Sequence, residues 1–377
     1  MACSHPQQAA TPTPPEAVAP APAPAPPPAP PAPATSWIER SNKNTEVVLA
    51  SIAKMQPEGA ARLGIPGLDE QISDFTPGHH EREREAKLGV LAELEKRLPA
   101  ERDPLVARDL QILIDAVKRD IEGRDLHHKL EVEYRSLPEM MFGSMRALLD
   151  PQIAAERHPA ALVRLKKYLG LEGNQASVVK LAIDEARDEL KRGLLPPAKL
   201  EVTNDLETSQ HLIDGVDKLF AEYKLAGAEP VLAEFHKQMA AWLTFVRAEI
   251  LPKARTDFRL PPELYAFELK NFGVDIAPDE LARRAHQGFT EIQGEMQKVA
   301  QQVAKDHGWK TTDYRDVIKQ LKKSQIADDQ VLEFYKKRLG EIEGLIQQHH
   351  LVTLPTRPAR IRLGSPAENA QQPAPHM

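Results

Sequence analysis

Cysteine is nearly absent from this 377-residue sequence: Cys3 is the only one. An internal disulfide is therefore excluded, and so is a metal site built from several cysteines. No run of about 18 apolar residues is present, so no segment is predicted to span a membrane. The net charge of −6 is dispersed and no basic cluster occurs, so nucleic acid is not an expected partner.

The sequence also has no His-Glu-x-x-His motif, the arrangement that places two zinc ligands and a catalytic carboxylate on one helix. The nearest approach is His80, which Glu81 follows, but Arg84 occupies the position of the second histidine. A serine nucleophile in a Gly-x-Ser-x-Gly turn is also absent. We therefore predict no catalytic residue in this chain.

The N-terminal segment consists almost wholly of proline and alanine from residue 5 to residue 36. Such a composition cannot bury enough apolar surface to fold. We predict a disordered tether over residues 1–36, a polyproline II spacer that reaches on the order of 95 Å at about 3.1 Å per residue. A proline-rich ligand for another module is the alternative.

Cys3 lies between Ala2 and Ser4, directly ahead of this spacer. The arrangement resembles the acylated cysteine of a bacterial lipoprotein, although the charged and apolar regions of a signal peptide are missing. We predict lipidation at Cys3 and a place on the periplasmic side of the bacterial cell envelope, with membrane contact only through that lipid. The alternative is a free thiol in a disordered tail.

From residue 37 to residue 350 the pattern is helical, with apolar residues spaced by three and four and breaks at proline and glycine. The fold class is predicted to be all-α, a large irregular array of helices. Two apolar stripes are predicted to be core: Leu281, Ala285, Phe289, Ile292, Met296, Val299 and Val303, and Leu232, Phe235, Met239, Trp242, Val246 and Ile250. Residues 351–377 form the last predicted segment, with short extended or β segments at 351–354 and 359–363.

Histidine and acidic residues occur in several clusters, each of which offers too few ligands on one helix. His79 and Glu83 share a face, as do His127 and Glu131, but a catalytic zinc needs three protein ligands. We interpret the first cluster as acids favoured at a helix N-terminus and the histidine pair His349-His350 as a helix end. The acids at 184, 185, 188 and 189, followed by bases at 191 and 192, are interpreted as a solvated ladder. No metal ligand is predicted.

The stretch Arg259–Leu281, RLPPELYAFELKNFGVDIAPDEL, reads as a short helix, a turn and the start of a longer helix. Taken with LVTLP at residues 351–355, it resembles the bacterial domain-of-unknown-function 885 family, large helical proteins that look like zinc metallopeptidases. One departure is Ala277, where family members commonly have threonine as a helix cap worth roughly 1 kcal/mol.

The resemblance covers roughly residues 65–377 and implies the N-terminal half of a family member. The family carries its His-Glu-x-x-His motif in its C-terminal half. This chain would then be inactive alone, with no cofactor of its own, while zinc and a peptide substrate would belong to a full-length parent. The alternative is a complete, non-catalytic periplasmic protein that binds a partner through its helical surface.

Overall fold

A computed structural model describes residues 34–372. Cys3 and nearly all of the proline- and alanine-rich segment lie outside the described residues. Within them the chain is helical, as predicted, and two isolated parallel bridges, Glu131 to Leu195 and Ala198 to Arg255, are the β pairings found. The all-α fold class is therefore confirmed.

The described part of the chain contains fourteen α-helices, and a π-helical turn, Val246–Ile250, extends the ninth. Their bounds are α1 Ala34–Met55, α2 Pro57–Arg62, α3 His79–Arg97, α4 Pro104–Leu130, α5 Leu137–Arg146, α6 Ala160–Tyr168, α7 Val178–Arg192, α8 Lys199–Glu222, α9 Glu229–Phe245, α10 Pro262–Asn271, α11 Pro278–Asp306, α12 Tyr314–Lys322, α13 Val331–His349 and α14 Pro366–Gln371.

Helix boundaries follow local capping chemistry. The side chains of Asp103, Ser136, Ser177 and Asp313 each accept a hydrogen bond from a backbone N–H in the first turn of the helix that follows. Gly193 ends α7 in the left-handed conformation, with φ of 77°. Short polar signals of this kind are visible in the sequence, which is why the helix positions were predictable.

The main apolar core lies between α5, α6, α7, α8 and α9, and α14 packs against α8. The predicted stripe on α9 belongs to this core: Phe235, Met239 and Trp242 are buried, and the stripe continues through the π-helical turn to Ile250. A second core lies between α3 and α4 and is extended by α1. The loops between α2 and α3 and between α4 and α5 connect the two cores.

The stripe predicted as core on α11 is instead largely exposed. Phe289 and Ile292 are each 63% exposed, and Val299 is 61% exposed. Helix α11 packs chiefly against α12, and the buried residues of that small cluster are Ala300, Ala304 and Val317. The prediction was wrong because periodicity shows that a helix is amphipathic and does not show whether another element covers its apolar face.

The two predicted extended segments, 351–354 and 359–363, are not paired as strands in the described structure. From Val352 to Leu363 the backbone N–H groups donate to no backbone carbonyl among the described residues. Pro355 and Pro358 have no N–H to donate, and none of the described residues forms a strand beside the segment. The β-branched composition alone was not enough to form a sheet.

Candidate functional site

A cluster of titratable side chains lies where α3, α7 and the segment between α4 and α5 meet. It comprises His79, Glu133 and Glu185, and one potential ligand atom from each lies within 4.8 Å of the other two. His79 Nε2 is 2.9 Å from Glu185 Oε1. We call these three residues the His79 cluster.

Local structure at the start of α3 places the imidazole. Gly78 precedes His79 with φ of 79°, a left-handed conformation that glycine adopts without steric cost. The His79 N–H donates to the Thr76 carbonyl at 3.0 Å. Asp74 accepts from the Thr76 N–H at 2.8 Å and pairs with Arg82 at 2.7 Å, which holds the turn in place.

The segment that carries Glu133 is held beside the end of α7. The Val132 N–H donates to the Leu195 carbonyl at 2.9 Å, and the Leu195 N–H donates to the Leu130 carbonyl at 2.9 Å. The Glu133 N–H then donates to Glu189 Oε2 at 2.8 Å. These bonds bring Glu133 next to α7. Glu185 and Glu189 lie one turn apart on that helix.

Glu189 is the most buried carboxylate at this site. It is 2% exposed, and burial followed by the charge of Glu185 raises its pKa to about 7. Its Oε1 atom has no hydrogen-bond partner within residues 34–372. The charges of Arg192, Arg135 and His79 lower this pKa in part. The hydrogen bond from the Glu133 N–H places the Glu189 carboxylate beside Glu133.

The pKa of Glu185 is shifted in the opposite direction from that of Glu189. Burial raises its pKa, but the hydrogen bond and charge of His79, together with Arg135, outweigh that effect and hold the pKa below its ordinary value. Arg135 forms an ion pair with Glu133 and stacks over the Phe75 ring, 5.5 Å from its centroid. Burial lowers the pKa of Arg135 in spite of the carboxylates around it.

The sequence offers two histidine and acid pairs that were not predicted to be metal sites, and the structure places them as follows. Glu83 contacts Lys87 and Arg124, not His79, so the pairing of His79 with Glu83 is not formed. His127 Nδ1 does contact Glu131, at 2.9 Å, and its Nε2 is 3.6 Å from Glu268, with the side chain about half exposed.

Two further pairs of histidines lie outside the His79 cluster. His80 stacks on His128 with centroids 3.9 Å apart, and burial followed by the charge of His128 lowers the pKa of His80. His349 ends α13, and His350 follows in the left-handed conformation. Cys3, the predicted lipidation site, lies outside the described residues.

Sequence reasoning missed the His79 cluster because its members come from three separate elements. The acids of α7 were interpreted as a solvated ladder, and this is correct for Asp184 and Asp188, which are exposed, but wrong for Glu189. The available signal was the spacing of Glu185 and Glu189 by four residues, beside the buried Ala186. The sequence-based expectation that this chain binds no metal is untested, and the three ligand atoms of the His79 cluster bear on it directly.

The fold and site together define an all-α protein with a partly buried histidine and carboxylate cluster. Among the described residues, none of the helices is both long and apolar enough to cross a bilayer. The family model described as "Bacterial protein of unknown function (DUF885)" matches residues 57–377. The chain therefore belongs to this family. No curated protein matches it.

Proposed function

We propose that this chain is the helical, non-catalytic portion of an exported, zinc metallopeptidase-like protein of the DUF885 family that acts on peptides. The observation that carries the proposal is the family match over residues 57–377. The stretch Arg259–Leu281, on which the resemblance was based, supports it. That stretch folds as α10, a turn with Gly273 at φ of 74°, and the beginning of α11 at Pro278.

The N-terminal sequence supports the exported location. Ala2-Cys3-Ser4 followed by the proline- and alanine-rich tether suits a lipid anchor that holds a folded domain away from a membrane. Under this proposal Cys3 carries the lipid and the helical domain lies on the periplasmic side of the envelope.

A second candidate is a non-catalytic periplasmic protein that binds a partner. The specific observation in its favour is the apolar face of α11, where Phe289, Ile292 and Val299 are exposed, together with Ile342 and Leu345 on α13. Exposed large apolar residues repeated along a helix face favour an interaction site. Under the first proposal further polypeptide of the same protein covers this face, and under the second a separate partner covers it.

A peptide-library digest of the purified 377-residue chain tests where the chemistry lies. We expect no cleavage, with or without added zinc, because the chain contains no His-Glu-x-x-His motif. A heat-denatured sample provides the background. Cleavage by the folded chain that 1,10-phenanthroline abolishes would overturn the proposal that the catalytic group lies outside these residues.

A further inference from the structure

The His79 cluster has more acceptor atoms than its neighbours satisfy. Two carboxylates, those of Glu133 and Glu185, belong to it, and the Glu189 carboxylate accepts from the Glu133 N–H beside them. Glu133 pairs with Arg135 and Glu185 pairs with His79, whereas Glu189 Oε1 is buried with no partner in the described part of the chain. Burying an oxygen without a partner costs free energy, and a proton, a water molecule or a cation bound to it would offset that cost.

We propose that the His79 cluster binds one divalent transition-metal ion through His79 Nε2 and one carboxylate oxygen each of Glu133 and Glu185, with the remaining position open to water. The three ligand atoms within 4.8 Å of one another can close around an ion, since ligands about 2.0–2.1 Å from zinc lie roughly 3.3 Å apart in a tetrahedron. The side chains of Glu133 and Glu185 are about one-third exposed and have room to move.

The donor set selects the class of ion. One imidazole and two carboxylates suit Zn²⁺, Co²⁺ or Mn²⁺, whereas Mg²⁺ and Ca²⁺ prefer oxygen ligands alone. The ion would connect α3, α7 and the segment that carries Glu133, and it would thereby link the two apolar cores. This site is independent of the proposed peptidase relationship, because its ligands lie in the chain itself and its test needs no activity.

Arg135 provides the competing arrangement. Its guanidinium already neutralises Glu133, and its side chain is 39% exposed, so it can swing out when a cation enters. If the cluster is a metal site, loss of this positive charge removes a competitor and tightens metal binding. If the cluster is only an ion-pair network, loss of Arg135 leaves Glu133 unpaired and gives no specific metal affinity.

Titration calorimetry with ZnCl₂ on tag-free, EDTA-treated protein tests the proposal, with Co²⁺ absorption as a second readout. We expect one zinc per chain, binding weakened at least about 10- to 100-fold by Glu185→Gln, because changes even to outer-shell partners cost that much, and tighter binding in Arg135→Gln. The matched control is His127→Asn, which removes an exposed histidine beside Glu131 and Glu268 and should change nothing.

Circular dichroism confirms that each variant is folded. If Glu185→Gln does not fold, Glu133→Gln on the irregular segment tests the same site. Three results would each overturn the proposal: no stoichiometric zinc on the wild-type chain, zinc affinity unchanged in the folded glutamate variant, or equal loss in His127→Asn. The last would mean that surface histidines bind the ion.

Discussion

At the residue scale, Glu368 shows how the described chain satisfies a buried charge. Its carboxylate accepts hydrogen bonds from Arg362 at 2.8 Å, from Arg146 at 2.7 Å and from the Ser365 N–H at 2.7 Å. The hydrogen bonds from Arg362 are the largest cause that holds the pKa of Glu368 far below its ordinary value of 4.5. The carboxylate fastens α14 to the body of the protein through α5.

We predict that Glu368→Gln lowers stability by about 2 kcal/mol at pH 7, because hydrogen bonds to charged groups are lost. Because the pKa of Glu368 is lower in the folded protein than in the unfolded chain, the carboxylate contributes its full stabilisation above the unfolded-state pKa near 4.5. That contribution is lost as the pH falls from there toward the folded-state pKa. The difference in free energy of unfolding between wild type and Glu368→Gln, measured by urea unfolding, should therefore become smaller below about pH 4.5. The control is Glu263→Gln, since Glu263 forms an exposed ion pair with Lys129. A difference in unfolding free energy between wild type and Glu368→Gln that grows in acid would contradict the account.

At the element scale, the docking of α14 on α8 depends on a glycine. A Cβ atom at Gly215 would lie 2.5 Å from Ala367 Cβ and 2.8 Å from the Phe142 ring. Helix α14 is thus close enough to α8 that a methyl group does not fit between them. The same substitution at Gly89, on the exposed face of α3, meets nothing within 4 Å.

We predict that Gly215→Ala destabilises the protein by about 1–3 kcal/mol through overpacking, whereas Gly89→Ala stabilises it by about 0.5–1 kcal/mol through helix propensity. Thermal or urea unfolding followed by circular dichroism measures both. Stabilisation by both substitutions would show that α14 does not pack on α8 as described.

The segment between α13 and α14 provides a second element-scale prediction. Because the N–H groups from Val352 to Leu363 have no backbone partner among the described residues, they should exchange with solvent at least about tenfold faster than those of α8 and α11. Hydrogen exchange followed by mass spectrometry measures this. Protection equal to that of α8 would mean that the segment pairs as strands.

The helices could be predicted from the sequence and the covering of their faces could not. Pro104, Pro262 and Pro278 are the first residues of α4, α10 and α11, and such starts can be predicted because proline and capping side chains act within one turn. The exposure of Phe289 depends on which distant element lies against α11. The His79 cluster could not be predicted for the same reason, because Glu133 and Glu185 meet His79 only through the packing of α3 beside α7.

At the scale of the whole molecule, the proposed anchor predicts a covalent modification. Cys3 should be diacylated in protein isolated from the membranes of its bacterial host, since one acyl chain gives only marginal membrane binding. Mass spectrometry of the mature N-terminus measures it, and a Cys3→Ser variant in the same host should leave the membrane fraction. An unmodified Cys3 in membrane-derived protein would contradict the anchor.

The central claim is that this helical chain is part of a metallopeptidase-like protein. The most direct measurement is a peptide-library digest by the protein captured from its native bacterial host, with and without 1,10-phenanthroline. The account predicts cleavage that the chelator abolishes and that zinc restores, while the isolated 377-residue chain stays inactive. A folded host protein that cleaves no peptide in the presence of zinc would contradict the account and favour the partner-binding alternative.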